Sequence, residues 1–406
     1  MSLTVIEELR KAFFKWMSLP NYDTIEIVAG TVIANRLPGE PLWLAIVGPS
    51  SSGKTEIVRA LAGMRRVHMV DKVGPATWVS GFKPSGKPKR GATSRPNGGG
   101  GPGDVSQYGL LATMMDGEPH IVVVEDFSVV LGKRKEVKGE VFSDLRKLYD
   151  GEFRAQYGNG QQIDWVGKIG MIVCSTGAYD QMVGDLAAFG ERFTIWRAIS
   201  GDAVQVAERS GRNSERSTEM RIELSEAMAK LDRVRLPDGN VQLSLDARTL
   251  VSRLTAFVAV CRTPVPRDPF RRDIISIPEP EGTGRLSAQL HQLLRGLVVL
   301  YGHQEVTDRE VELVQETAFS TIPSVRRRVI ELIEPVAGAT FHELTRDSGI
   351  PKTTLQHTLE EMKLLKLIEF SDPTKGQRSS VWLPRDEWKS FFYYVRASRV
   401  GHAGTF

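Results

Sequence analysis

The sequence predicts an α/β fold, a parallel sheet flanked by helices, with a smaller helical module after it. Three observations carry that prediction. Short apolar runs, Leu42–Val47, "HIVVV" (120–124) and "IGMIVC" (169–174), recur between helix-like stretches, as strands buried on both faces do. The first run passes directly into a glycine-rich turn and then a helix. Towards the C-terminus the pattern changes to short helices, a Gly349–Pro351 break and two strand-like runs.

The opening residues, "MSLTVIEELRKAFFKWM", place Glu7 and Glu8 in an amphipathic pattern and read as a helix, not a signal peptide. Residues 1–36 are therefore expected to be an N-terminal helical segment. A hydrophobic content of 41% and a charged content of 25% are those of a soluble globular protein. No apolar run approaches the ~20 residues that cross a bilayer, so no membrane partner is expected. Cys174 and Cys261 lie far apart among apolar residues, which argues against a disulfide or zinc and for a cytoplasmic location. The net charge of +4 permits nucleic acid as a partner.

After the first run stands Gly48-Pro49-Ser50-Ser51-Ser52-Gly53-Lys54-Thr55, then Glu56. This is G-x-x-x-x-G-K-[ST] between a strand and a helix. Backbone N–H groups of such a turn face phosphates, the lysine reaches the β/γ oxygens and the threonine hydroxyl faces Mg²⁺. ATP and Mg²⁺ are the expected ligands. Residues 81–107 follow as a basic flexible loop, in which Lys83, Lys87, Lys89, Arg90 and Arg95 sit among Gly, Pro and Ser. The second run ends in Glu125 and Asp126, acids suited to metal and to the attacking water. The third ends in Ser175 and Thr176, small polar groups for the γ-phosphate or water, and "FGERF" then brings Arg192 before another strand-like run.

The series GPSSSGKT, IVVVED, Ser175–Thr176 and GERF resembles an AAA+ ATPase. The resemblance implies that residues 37–200 are a nucleotide-binding core and that Arg192 acts on a neighbouring subunit's nucleotide. It also implies a helical lid over residues 201–323. There "GTGRLSAQLHQLLRGLVVLYG" sets Leu286, Leu290, Leu293, Leu297 and Leu300 on one stripe, with Arg285 at its start. This helix is similar to that of minichromosome maintenance (MCM) helicases and related phage or plasmid ATPases, where such an arginine reaches phosphate. The acids here run Glu then Asp, against the family's usual Asp then Glu. Either Asp126 takes the metal side, or Glu125 does and Asp126 polarises water. The first sensor, usually Asn, falls to Ser175 or Thr176.

Residues 151–168 read as a hairpin, two strand-like runs joined through Gly158-Asn159-Gly160. Helicase-type AAA+ proteins carry a DNA-gripping hairpin at this place, which makes Arg154, Gln161 and Lys168 the candidate contacts. Residues 324–406 resemble a winged helix followed by a C-terminal helix. Leu355, Leu359 and Met362 line one face of its second helix, leaving Lys352, Thr353 and Gln356 for a groove. Lys375 and Arg378 lie on the turn between its strands. The function implied is a ring-forming, DNA-dependent ATPase, a homo-oligomer and hexameric by resemblance, of the MCM-like helicase type. An ATP-switched DNA-binding regulator or helicase loader, and a AAA+ protein remodeller, are the alternative readings. Unwinding, duplex-stimulated hydrolysis without unwinding, and indifference to nucleic acid separate the three.

Overall fold

A computed structural model describes residues 4–79, 109–156, 162–181, 191–239, 241–268, 270–280, 282–372 and 379–403. The basic loop 81–107, the hairpin tip, Gln161, Lys375 and Arg378 lie outside the described residues. The chain opens with two helices, α1 (Val5–Trp16) and α2 (Asp23–Arg36). Thr4 and Glu7 close a capping box on α1, and Ile6, Leu9, Phe13 and Trp16 turn inward. Helix α2 carries apolar residues on every face and is buried on every face.

Strand β1 (Trp43–Val47) then leads into α3 (Lys54–Arg59). Next come β2 (Val67–Met69), β3 (His120–Val124) and α4 (Lys135–Tyr149). The expected hairpin is present as antiparallel β4 (Glu152–Gln156) and β5 (Gln162–Val166). It feeds β6 (Ile169–Ser175), and β7 (Phe193–Arg197) follows.

The main sheet is five-stranded in the order β2–β3–β6–β1–β7. All four pairings are parallel. The order sets β6 between the strand that precedes the glycine-rich turn and the acidic strand. Alternate residues feed two cores: Leu44, Ile46, Ile121 and Val123 face one, and Trp43, Ala45, Val122 and Val124 the other. Burial of both faces is why these strands read as unbroken apolar runs.

The remaining core helices are α5 (Ala203–Asn213), α6 (Ser217–Ala229), α7 (Leu245–Arg262), α8 (Gly284–Tyr301) and α9 (Asp308–Ser320). The stretch read as one lid divides in two. Helix α6 packs on α1 and α3, whereas α8 lies along α2 and α9 against β7. The leucine stripe of α8 is buried as its spacing predicts. Its backbone comes so close to α2 that a Cβ on Gly296 would sit 2.7 Å from the Ala34 Cβ. A Cβ on Gly30 would sit 2.6 Å from Leu297 Cδ2. Within the same layer Glu26, fully buried, takes Arg10 at 2.5 Å, Arg309 at 2.5 Å and the Tyr301 hydroxyl at 2.6 Å. A buried carboxylate is tolerable only when paired and hydrogen-bonded in this way.

The C-terminal part comprises α10 (Ser324–Leu332), α11 (Phe341–Ser348) and α12 (Lys352–Leu364). A two-stranded antiparallel pair, β8 (Ile368–Ser371) and β9 (Val381–Pro384), and helix α13 (Lys389–Ala403) complete it. Gly349, at φ +70°, makes the turn between α11 and α12, and Leu355, Leu359 and Met362 are buried. This part is fused to the core. Phe391 stacks on Phe257 of α7 with ring centroids 4.8 Å apart, Glu361 of α12 accepts from Arg267 at 2.9 Å, and Arg326 of α10 donates to the carbonyls of Cys261 at 2.8 Å and Thr263 at 2.6 Å. Among the described residues no helix is long and apolar enough to cross a membrane.

Gly296→Ala is expected to destabilise the fold by about 1–3 kcal/mol through overpacking of α2 against α8. Gly284→Ala, at an open site on the same helix, is expected to change little. Chemical-denaturation midpoints of the two variants test the difference.

Candidate functional site

The site begins where β1 ends. The Gly48 N–H donates to the Ser175 carbonyl at 3.2 Å, which fastens the start of the glycine-rich turn to the end of β6. Ser51 (φ +62°) and Gly53 (φ +81°) both take left-handed backbone conformations. Turns with such residues gather N–H groups into anion-binding concavities. The positive φ favours glycine at Gly53, and a Cβ there would lie 2.5 Å from the Met17 methyl, which would have to move aside. The Lys54 ammonium, buried in the turn, donates to the carbonyls of Gly48 (2.9 Å) and Pro49 (2.5 Å) and to Ser52 Oγ (3.1 Å). Burial pushes its pKa below the usual lysine range, and the Asp126 carboxylate is close enough to oppose that shift. Thr55, half-buried, and Glu56 follow in the first turn of α3.

The two acids stand at the same edge of the sheet, on residues following β3. Asp126, exposed, accepts the Ser128 N–H at 3.0 Å. Glu125 turns towards α3, where Arg59 grips it through Nε at 3.1 Å and Nη2 at 2.5 Å. The side chains differ in direction because successive residues leave a strand on opposite faces. Between β1 and β3, the Ser175 hydroxyl is 3.1 Å from that of Ser128, and the Thr176 hydroxyl accepts the Ala178 N–H at 3.4 Å. The parallel register thus assembles Gly48–Thr55, Glu125, Asp126, Ser175 and Thr176 at the carboxyl ends of three adjacent strands, the usual ligand edge of such sheets.

A cavity of about 830 Å³ opens beside the turn. Ser51–Glu56 form one wall, and Met17, Leu19, Val206 and Met220 give the other an apolar character. Helices α1 and α6 are tied together around it: Glu223 accepts from Lys15 at 2.5 Å and from the Trp16 indole at 2.8 Å. Sequence reasoning missed this wall. The available signal was the apolar pair Met17 and Leu19, which continues past the last turn of α1.

Arg192 and Arg285 are not at this edge. Strand β7 runs parallel to β1 with Phe193 opposite Trp43, so Arg192 lies beyond the far end of the strand, about 17 Å along the sheet from the end of β1. There the Arg192 guanidinium is 5.5 Å and that of Arg285 5.8 Å from the Tyr149 ring centroid. Arg192 is buried and paired with Asp150 at 3.5 Å. Burial, and then the charge of Arg285, lower its pKa from the usual arginine value.

The expected DNA contacts fall in three groups. Arg154 is exposed on β4, paired with Glu152 at 3.2 Å. Lys352, Thr353 and Gln356 are exposed on α12, as the helical spacing requires. Lys168 departs from expectation as a phosphate contact: its ammonium donates to the Leu37 carbonyl at 2.7 Å. Withdrawal from water brings its pKa down to about 8, and the side chain ties the β5–β6 connection to the loop before β1. The hairpin pattern showed where the lysine sits in the chain but not which way it turns.

No protein-family model matches the chain, and no curated protein matches it. Among solved structures, "a putative ATPase from Cytophaga hutchinsonii" is similar at a TM-score of 0.42 and 10% identity. The match covers 78% of this chain and 86% of that one.

Because the folded pKa of Lys168, about 8, lies below the unfolded value of about 10.4, the native state binds fewer protons between them. Stability therefore gains from this group as pH rises through that window. Denaturation midpoints at about pH 7.5 and 9.5 should show a rise in the unaltered chain that is smaller in Lys168→Met.

Proposed function

We propose that the chain is a P-loop ATPase of the AAA+ type that hydrolyses ATP at the β1–α3 turn. The observation that carries this reading is the meeting of Lys54 and Asp126 at one sheet edge, with Thr176 just past the end of the strand between them. In hydrolysis a water oxygen attacks the γ-phosphorus and the bond to the β–γ bridging oxygen breaks. ADP departs with that electron pair, and the water proton passes to a carboxylate of the Glu125–Asp126 pair and on to phosphate. Lys54 would exchange the loop carbonyls for phosphate oxygens. Thr55 and Asp126 are the groups to hold Mg²⁺, which when bound neutralises phosphate charge.

The finer reading is a homo-oligomer, hexameric by resemblance, that moves on DNA as an MCM-like helicase or translocase. Arg192 would complete a neighbouring subunit's site, and to do so it must turn away from Asp150 and Tyr149. Arg285, beside it, would act with it. The β4–β5 hairpin with Arg154, and the exposed face of α12, are the proposed DNA contacts. A second reading, an ATP-switched DNA-binding regulator, is favoured by one observation: Glu361 of α12 is bound by Arg267, so that helix is tied to the segment between α7 and α8.

Lys54→Ala is expected to nearly abolish ATP hydrolysis in a folded protein; normal turnover by that variant overturns the site. Arg192→Ala should bind ATP and lose about 10³-fold in rate. Mixing it with Lys54→Ala should restore partial activity, since some interfaces then carry an intact turn on one side and an intact Arg192 on the other. An unrecovered rate in proven mixed oligomers shows Arg192 to be structural. Strand-displacement assays, with and without DNA-stimulated hydrolysis, separate the translocase from the regulator.

A further inference from the structure

We infer that Arg59 is a positioning residue that restrains Glu125, and that Arg221 of α6 governs the restraint through Glu56. The inference rests on the ATPase reading and extends it to a route by which α6 sets the activity of the acidic strand.

Four charged side chains run in line from α6 to the end of β3. Arg221 grips Glu56 through Nη2 at 2.9 Å and Nε at 3.1 Å. Glu56 also accepts from Arg59 Nη1 at 3.0 Å, an i,i+3 pair on α3. Arg59 in turn holds both oxygens of Glu125. The Arg59 and Glu125 side chains are 35% and 21% exposed, and those of Arg221 and Glu56 49% and 24%. The inner pair is thus less screened than the outer one. The Glu125 contact raises the Arg59 pKa above its ordinary value, the mark of a guanidinium held by a carboxylate.

The chemistry of this arrangement is competitive. A carboxylate with both oxygens on one guanidinium is held in one orientation. So held, Glu125 is withheld from water and from metal. Glu56 and Glu125 draw on the same Arg59, and Arg221 decides how much of the Glu56 charge is left for that contest. Helix α6 also lines the nucleotide-side cavity through Ser217 and Met220. A cavity of about 500 Å³ bordered by Glu56, Arg59 and Arg221 gives the side chains room to move. When α6 shifts so that Arg221 leaves Glu56, Arg59 turns towards Glu56 and Glu125 is released.

The test uses the full chain and measures kcat, KM for ATP and affinity for a fluorescent ATP analogue. Arg59→Gln should raise kcat about fivefold, the fold-change of one partly exposed ion pair, with KM and affinity within about twofold. Arg221→Gln should raise kcat less, and Arg59→Lys, which keeps the charge without the two-point grip, should fall between Arg59→Gln and the unaltered chain. Since Arg221 acts only through Arg59, the double variant should match Arg59→Gln alone. An unchanged or lower kcat in Arg59→Gln with intact analogue binding overturns the inference, as does an additive double variant. Failure of the unaltered chain to bind the analogue overturns the ATPase reading itself, a result distinct from either.

Discussion

The contact between α2 and α8 is the constraint on which the rest of the fold depends. Two helices can come this close only where glycines meet, and here Gly30 and Gly296 lie at the crossing. Because α2 is buried on all sides, it serves as an interior beam between the sheet and α8. Its deepest charge, Glu26, is matched by groups from three other helices, Arg10 on α1, Tyr301 at the end of α8 and Arg309 on α9. Removing any one partner would leave the buried carboxylate short of a hydrogen bond, so the elements around α2 hold each other in register. The sheet edge that carries the candidate site is built on that platform.

Much of the site was legible because its signals are local. The turn Gly48–Thr55, the acids after β3 and the Ser175–Thr176 end of β6 each sit at the end of an apolar run, and the parallel register brings such ends together. The α8 leucine stripe and the α12 face were legible by period alone. Features set by side-chain direction over long separations were not. Glu56 and Arg59 look in sequence like an ordinary helix-surface pair, and nothing near them names Arg221 as the third member. Lys168 reads as a free cation, yet its partner is the carbonyl of Leu37, far away in sequence. Helix α2 offers no amphipathic period, since a helix without an exposed face has none to show. The division of the presumed lid into two groups was likewise hidden, because helical periodicity does not say which neighbour a helix chooses.

The site joins two kinds of rigidity. The Gly48 N–H to Ser175 carbonyl bond belongs to a backbone ladder, so the turn and β6 move together. Glu125 belongs instead to a line of side-chain ion pairs with Arg59, Glu56 and Arg221. Arg59 links the two kinds, rooted on the helix that follows the turn while its guanidinium reaches the acidic strand. Arg192, Tyr149, Asp150 and Arg285 form a separate cluster at the opposite edge.

The stacking of Phe391 on Phe257, with Glu361 bound by Arg267 and the Cys261 carbonyl by Arg326, bears on modularity. A domain exchanged freely between proteins normally meets its host through a linker and a small polar interface. Here the C-terminal part contributes side chains to the same apolar interior as α7 and α9. It is not a cassette: cutting it away would open the host's core to water, and grafting it elsewhere would strand Phe391 and Phe392 without their counterparts. The two parts are therefore constrained to change together, each substitution at the shared interior in one selecting a compatible residue in the other.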